Sequence, residues 1–281
     1  VDQFQYFNNY RLNSVYVIGN AQHPGIDLIK LANPNITWEV AEKTDIGLNA
    51  TLFRNISLEF IYFQQKRSDI LAARNASIPG VSGIVNPHPD PNNGVVPLVP
   101  DENIGKVNNN GFETTLGYKK VKENFWYDVT ANFTYAKSEI IFIDEAPGVL
   151  EYQRQTGRPL NTYLLYNAIG IFRTEEDLDA YPHLPNAQPG DLIYEDFNND
   201  GEITADDQVR TQYGNIPEIT YGLNLSGGWK NIDVSILFAG QGRVSQYVLP
   251  ESGTVGNFYS SWADNRWSPS NPDGSYPRVD N

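Results

Sequence analysis

Cysteine and methionine are both absent from the 281 residues. Without cysteine there is no disulfide framework and no thiolate to act as ligand or nucleophile. The chain opens Val1-Asp2-Gln3-Phe4, which is not a translation start. It closes on Tyr276-Pro277-Arg278-Val279-Asp280-Asn281 without a strand signal. We read it as a piece of a longer polypeptide, whose targeting segment would lie elsewhere. Basic residues are scarce: 20 Lys and Arg against 34 Asp and Glu leave a net charge of −14. That balance argues against nucleic acid as a partner, because phosphate contacts need a basic surface. Only three histidines occur, His23, His88 and His183. They are scattered through loop-like sequence without metal-ligand spacing and read as surface residues. No G-x-S-x-G elbow and no P-loop is present. Glu175, Glu176, Asp177 and Asp179 cluster where a helix would start, so they complement its dipole rather than pair for glycoside hydrolysis. Asp144-Glu145 reads as a solvated turn. The chain is therefore not read as an enzyme. No apolar run reaches the ~18 residues of a membrane-crossing helix. A membrane β-barrel stays open, since its strands are short and alternate.

Alternation is what the chain does have. In Asp45-Ile46-Gly47-Leu48-Asn49-Ala50-Thr51-Leu52 the apolar residues fall on one face. In Phe125 to Tyr135, the residues Phe125, Tyr127, Val129, Ala131, Phe133 and Tyr135 oppose Asp128, Thr130, Asn132 and Thr134. The stretches Phe112–Tyr118 and Tyr221–Gly227 repeat the pattern, as does Ile232–Phe238 with one slip at Leu237. A period of two with aromatics on the apolar face suits a lipid-facing barrel strand. It equally suits a soluble antiparallel sandwich.

Connection lengths separate the two. Strands are expected near 45–53, 57–67, 111–119, 125–141, 218–228 and 232–241. The links around Arg54-Asn55-Ile56, Lys120 to Asn124 and Trp229-Lys230-Asn231 are short, whereas 69–108, 142–217 and the stretch after 242 are long. Walking the strands up and down puts every short link at one end and every long one at the other. That is the layout of an outer-membrane barrel, and a sandwich has no reason to sort its loops so.

Long structureless loops are uncommon unless functional. The first is dense in breakers, Pro79-Gly80 and Asn86-Pro87-His88-Pro89-Asp90-Pro91-Asn92-Asn93-Gly94. The second holds Asp196-Phe197-Asn198-Asn199-Asp200-Gly201-Glu202-Ile203-Thr204-Ala205-Asp206-Asp207. Its spacing is that of an EF-hand-type loop, with oxygen ligands returning every second residue, glycine at position 6 and an apolar residue at position 8. Asp196, Asn198, Asp200, the carbonyl of Glu202 and Asp207 are the expected ligands of Ca2+ or Mg2+, with Ile203 anchoring the loop. Position 12 is Asp207 rather than the bidentate glutamate of helix–loop–helix sensors. The competing reading is an Asn/Asp-rich surface turn. Tyr163 to Phe172 looks strand-like, and Thr174 to Tyr181 reads as a short helix capped by Thr174.

An ordered series of blocks carries a family resemblance. Asn33-Pro34-Asn35-Ile36-Thr37-Trp38-Glu39 resembles the "NPxLxWE" segment of TonB-linked outer-membrane receptors of the SusC/RagA type. Asn103-Ile104-Gly105, Asn110-Gly111-Phe112-Glu113, Gly157-Arg158-Pro159 and Tyr166 through Phe172 continue it. Pro189-Gly190-Asp191-Leu192-Ile193-Tyr194 runs into the acidic loop, and Pro217, Tyr221-Gly222 and Asp233 through Gly240 follow. Arg266-Trp267-Ser268-Pro269, Asn271-Pro272 and Pro277-Arg278 end the series. The resemblance implies an all-β fold, part of a large antiparallel transmembrane β-barrel of about 22 strands plugged by an N-terminal domain. Plug, TonB box and final strands lie outside this chain, which would supply under half of the barrel. It further implies nutrient import across the outer membrane, of oligosaccharide above all or of peptide, beneath a SusD-like surface lipoprotein and driven by the TonB complex. The 142–217 excursion would be extracellular. Tyr152, Tyr259, Trp262 and Trp267 are candidate cargo contacts, since flat rings suit sugars, although loop aromatics more often anchor packing. The alternative is a secreted calcium-dependent glycan-binding β-sandwich. A calcium-stapled adhesin ranks last, because the loop does not repeat.

Overall fold

A computed structural model describes residues 6–74, 88–90, 94–96, 99–146, 148–249 and 259–279. Pro79-Gly80, Asn86-Pro87 and Pro91-Asn92-Asn93 lie outside the described residues. In chain order the strands are β1 Asn9–Ile18, β2 Ala21–Lys30, β3 Val40–Leu52, β4 Ile56–Ala72, β5 His88–Asp90, β6 Gly94–Val96 and β7 Glu102–Lys122. They continue with β8 Phe125–Phe142, β9 Leu164–Tyr166, β10 Ala168–Ile171, β11 Leu192–Tyr194, β12 Gln208–Arg210, β13 Ile219–Trp229 and β14 Ile232–Gly242. The helices are α1 Glu175–Ala180 and α2 Ser260–Asp264, and neither is long and apolar enough to cross a membrane.

The chain divides into two compact units. The first comprises Val1–Val149, Arg154–Leu160 and Pro217–Arg243. Its centre is a six-stranded antiparallel sheet ordered β14-β13-β8-β7-β4-β3. Register puts Ile46, Tyr62, Phe112, Tyr135 and Ile219 in one row across it, and Leu48, Phe60, Thr114, Phe133 and Tyr221 in the next. Between the Leu52–Ile56 rung and the Ile46–Tyr62 rung the rows of this face are apolar or aromatic in the main; beyond it they turn polar, as in Thr44, Gln64, Asn110 and Lys137. No described residue covers the apolar rows: Ile46 is 64% exposed and Phe238 55%. A sandwich would bury such a face against a second sheet. The buried apolar residues among those described are Val99, Ile140, Phe172, Ile193 and Ile203, so no sandwich core exists behind the sheet. The opposite face is polar, with rows such as Asn49, Glu59, Thr115, Asn132 and Gly222. Leu237 falls on that polar face opposite Asn224 and is 72% exposed, which accounts for the slip in the alternation.

Short turns gather at one end as the spacing predicts. They are residues 53–55, 123–124 and 230–231, while 73–101 and 143–218 connect the other end. The sequence missed β1 and β2, which pair separately through the tight turn after Ile18. Strands also outrun their expected limits, β4 to Ala72 and β7 back to Glu102, with a bulge at Asp69 whose φ is 55°.

The segment Asn33–Glu39 is held by amide side chains. Asn33 is buried, donates to the Asp101 carbonyl at 2.8 Å and accepts from the Asn35 N–H at 3.0 Å. Asn103 accepts from the Thr37 N–H at 2.9 Å and donates to the carbonyls of Thr37 and Asp69 at 2.9 and 2.7 Å. Buried or part-buried backbone groups need partners, and these amides supply both kinds at once.

The second unit comprises Leu150–Gln153, Asn161–Ile216 and Val244–Asn281. The expected strand Tyr163–Phe172 breaks at Asn167, because β9 pairs with β12 whereas β10 pairs with β11. Thr174 caps α1, as the sequence predicts, and the structure adds a capping box with Asp177. Three family-like blocks meet here. Gly190, at φ 98°, lies against the Trp267 ring so closely that a Cβ would sit 2.4 Å from it. Its carbonyl accepts from the Arg278 N–H at 2.8 Å, and the Arg278 guanidinium donates to Asp191 at 2.5 Å.

Candidate functional site

The acidic loop runs from the end of β11 to a single 3-10 turn at Ala205–Asp207. Its turn depends on two residues in the left-handed region, Asn199 at φ 59° and Gly201 at φ 87°, conformations that asparagine and glycine tolerate best. The Asp196 carboxylate accepts from the backbone N–H of Asp200 at 3.2 Å and of Gly201 at 2.8 Å. The Asn198 oxygen accepts from the Asp200 N–H at 2.9 Å, and its amide donates to the Asp200 carboxylate at 2.8 Å. Asp200 in turn accepts from the Glu202 N–H at 2.9 Å. The side-chain oxygens of positions 1, 3 and 5 thus share the inside of one turn.

Asp207 plays a different part. Its side chain is buried, and it accepts from the N–H groups of Phe197, Asn198 and Thr204 at 2.9, 3.3 and 2.8 Å. Burial pushes its carboxyl up, but the donors from Thr204, Asn198 and Phe197 outweigh that and hold it below the usual range. Asp207 therefore ties the loop's beginning to its end. Ile203 is buried as the anchor the sequence predicts, whereas Glu202 is exposed. Among the described residues, no three acidic or imidazole side chains stand together as a ligand cluster.

A clamp without any local signature in the sequence holds the loop's exit. Gln153 donates to the carbonyls of Ala205, Asp206 and Gln208 at 2.9, 3.2 and 3.0 Å. The neighbouring Tyr152 hydroxyl donates to the Asp206 carbonyl at 2.7 Å. Burial, followed by the charges of Asp206, Asp207 and Asp200, raises the Tyr152 phenol above its ordinary value.

The candidate cargo aromatics are not brought together. Tyr152 packs near Phe197 with ring centroids 4.6 Å apart. Trp262 stacks on Tyr276 at 4.5 Å, and Trp267 is committed to Gly190. Tyr259, just ahead of α2, is 63% exposed and stacks on no ring among the described residues. The polar face of the six-stranded sheet offers a separate surface, where Asn224, Ser226 and Ser235 form a hydrogen-bonded trio with links of 3.0 to 3.4 Å.

An antiparallel meander with one apolar, uncovered face, one polar face and its short turns at one end is a section of a transmembrane β-barrel. The family comparison agrees. The model of the TonB dependent receptor-like β-barrel matches residues 3–280, and the chain belongs to that family of outer-membrane barrels. It is 28% identical over 288 residues to TonB-dependent receptor P3 of Formosa agariphila, covering 95% of this chain and 27% of that protein. TonB-dependent receptor P26 of the same organism is 26% identical over 296 residues, covering 98% and 28%. The chain thus spans little more than a quarter of these relatives. Among solved structures, the RagAB peptide transporter superposes with a TM-score of 0.63 at 19% identity, over 99% of this chain and 30% of that one. The RagAB peptide importer in its closed-closed state gives 0.60 at 19%, over 98% and 29%. Both similarities are of fold.

Proposed function

We propose that this chain is part of the wall and outer loops of a TonB-driven nutrient importer of the outer membrane, with the short turns on the periplasmic side. The observation that carries the reading is the uncovered apolar face opposed to a polar one across the six-stranded sheet. Energy would come from the TonB complex, and a SusD-like lipoprotein would cover the outer mouth. The cargo is an oligosaccharide or a peptide. Exposed Tyr259 suits a sugar ring, whereas the structural neighbours named above are a peptide transporter and importer. The test is uptake of labelled oligosaccharides and of labelled peptides by cells with and without the full-length gene. Loss of one class identifies the cargo, and unchanged uptake of both sinks the import reading.

The loop 196–207 is proposed to bind a divalent cation through Asp196, Asn198, Asp200 and the Glu202 carbonyl, with Asp207 closing the loop. Oxygen-only donors of this number suit calcium better than magnesium, which demands near-ideal octahedral geometry. Sites in extracellular modules bind in the range of about 10⁻⁴–10⁻³ M, so millimolar calcium would add about 1 kcal/mol of local stability. Terbium luminescence on the intact receptor checks it: an Asp200→Ala variant should lose the signal. Absence of signal in the wild type would leave a plain surface turn.

A further inference from the structure

The end of the sheet that carries the short turns has a chemistry of its own. The turns lie side by side, since the Asn55 carbonyl accepts from the Lys119 N–H at 2.9 Å and the Asn124 carbonyl from the Lys230 N–H at 3.0 Å. On the apolar face the last rungs pair Lys120 with Tyr127 and Lys122 with Phe125, and Phe125 with Trp229. Lysines therefore share that face with rings. The Lys122 ammonium sits 5.5 Å from the Phe125 centroid and the Lys230 ammonium 4.8 Å from that of Trp229. The hydroxyls of Tyr127 and Tyr118 meet at 3.3 Å. Arg54 is exposed in its turn beside Phe53, which is 87% exposed.

Carboxylates at this end are mostly turned the other way. Asp128 and Asp233 occupy the polar face, Asp128 within 3.9 Å of the Lys119 ammonium. Glu59 shares that face, which leaves Glu123 as the acid within the described turns. In a chain of net charge −14, the membrane side of this rim thus carries the cations Lys120, Lys122 and Lys230, with Arg54 exposed in the adjoining turn.

We propose that this rim is a docking surface for anionic glycerophospholipid headgroups of the leaflet that meets the short turns. The rings sit at the boundary between headgroup and acyl chain, where amphipathic aromatics are favoured. The lysine stems lie along apolar surface and deliver their ammonium groups to the phosphates. A zwitterionic headgroup offers the same phosphate but cancels it with its own cation, so the net positive charge here selects for the anionic lipid. The proposal rests on the barrel reading and on the placement of the short turns within it.

The test uses the intact receptor in nanodiscs of phosphatidylcholine and phosphatidylglycerol. Spin-labelled forms of each lipid report the relative affinity of the protein surface for the two headgroups. A basic residue near an anionic surface contributes roughly fivefold in affinity. The Lys120→Gln/Lys122→Gln/Lys230→Gln variant should therefore lose at least about threefold of the phosphatidylglycerol preference, allowing for screening. The corresponding triple arginine variant should keep it. A wild type without preference, or a glutamine variant that retains it, overturns the proposal while leaving the barrel intact. Preference confined to lipopolysaccharide phosphates would place the lipid in the opposite leaflet and overturn it too. A receptor that stays monodisperse in plain buffer and fails to enter nanodiscs removes the barrel reading, and this one with it.

Discussion

Single atoms decide how the sheet tolerates change. A Cβ on Gly111 would stand 2.0 Å from the Tyr135 carbonyl oxygen and 2.9 Å from the Ala136 Cα, both backbone atoms that cannot swing aside. The three atoms nearest a Cβ on Gly240 all belong to the Tyr221 side chain, at 2.3 to 2.7 Å, and that side chain can rotate. We expect Gly111→Ala to destabilise the receptor by more than about 2 kcal/mol and Gly240→Ala by less than about 1, measured by refolding into lipid. Asp207 gives a prediction in pH. Its carboxyl is held below the ordinary range in the folded loop, so its contribution is complete above that range and is lost as pH falls through the lowered value. Hydrogen exchange across 196–207 should show protection decaying only in strongly acidic solution. Asp207→Asn should abolish that dependence and cost about 2 kcal/mol, because an amide N–H₂ would then face backbone donors. The positions of the acidic loop were legible in the spacing. The division of labour within it was not, because the spacing of oxygens does not decide which of them backbone donors will occupy.

At the scale of elements, alternation was readable wherever a strand separates an apolar from a polar surroundings. It faded where β4 continues through Lys66-Arg67-Ser68-Asp69 and where β7 begins, since both faces there are polar while the backbone ladder persists. The β1–β2 hairpin was missed for a related reason. Pro24 and Gly25 interrupt β2, although Gly19-Asn20 between apolar runs is itself a hairpin signal. Helix α1 was legible because its signal is local, a threonine cap and an acidic first turn. Gln153 carried no local signal, since its partners lie more than fifty residues away. Asn103 was recognised only as part of a family-like block, and the structure supplies its physical reason. Asn103→Ala should release the 33–39 segment at a cost of about 1–2 kcal/mol, seen as faster exchange of the Thr37 amide. Asn103→Asp should do more damage, because a carboxylate would face the carbonyls of Thr37 and Asp69.

For the molecule as a whole, strands β8 and β13 pair along their full facing length, from Tyr135 with Ile219 to Phe125 with Trp229. The residues between them, 143–218, enter and leave at one end of that ladder. Closing a loop costs only about 0.6 kcal/mol more for each doubling of its length. Replacing 143–216 in the intact receptor by a short glycine-containing turn should therefore leave the barrel able to fold, checked by its resistance to unfolding in detergent before heating. Failure to fold would show that the excursion is needed for strand pairing. The ladder between β8 and β13 consequently behaves as a splice point. Lipid constrains the wall to a narrow vocabulary of alternating residues, whereas the inserted segment answers only to water and its own small core. Mutation can rewrite one without disturbing the register of the other, so a single barrel architecture can change its inserted segment far faster than it can change how it crosses the membrane.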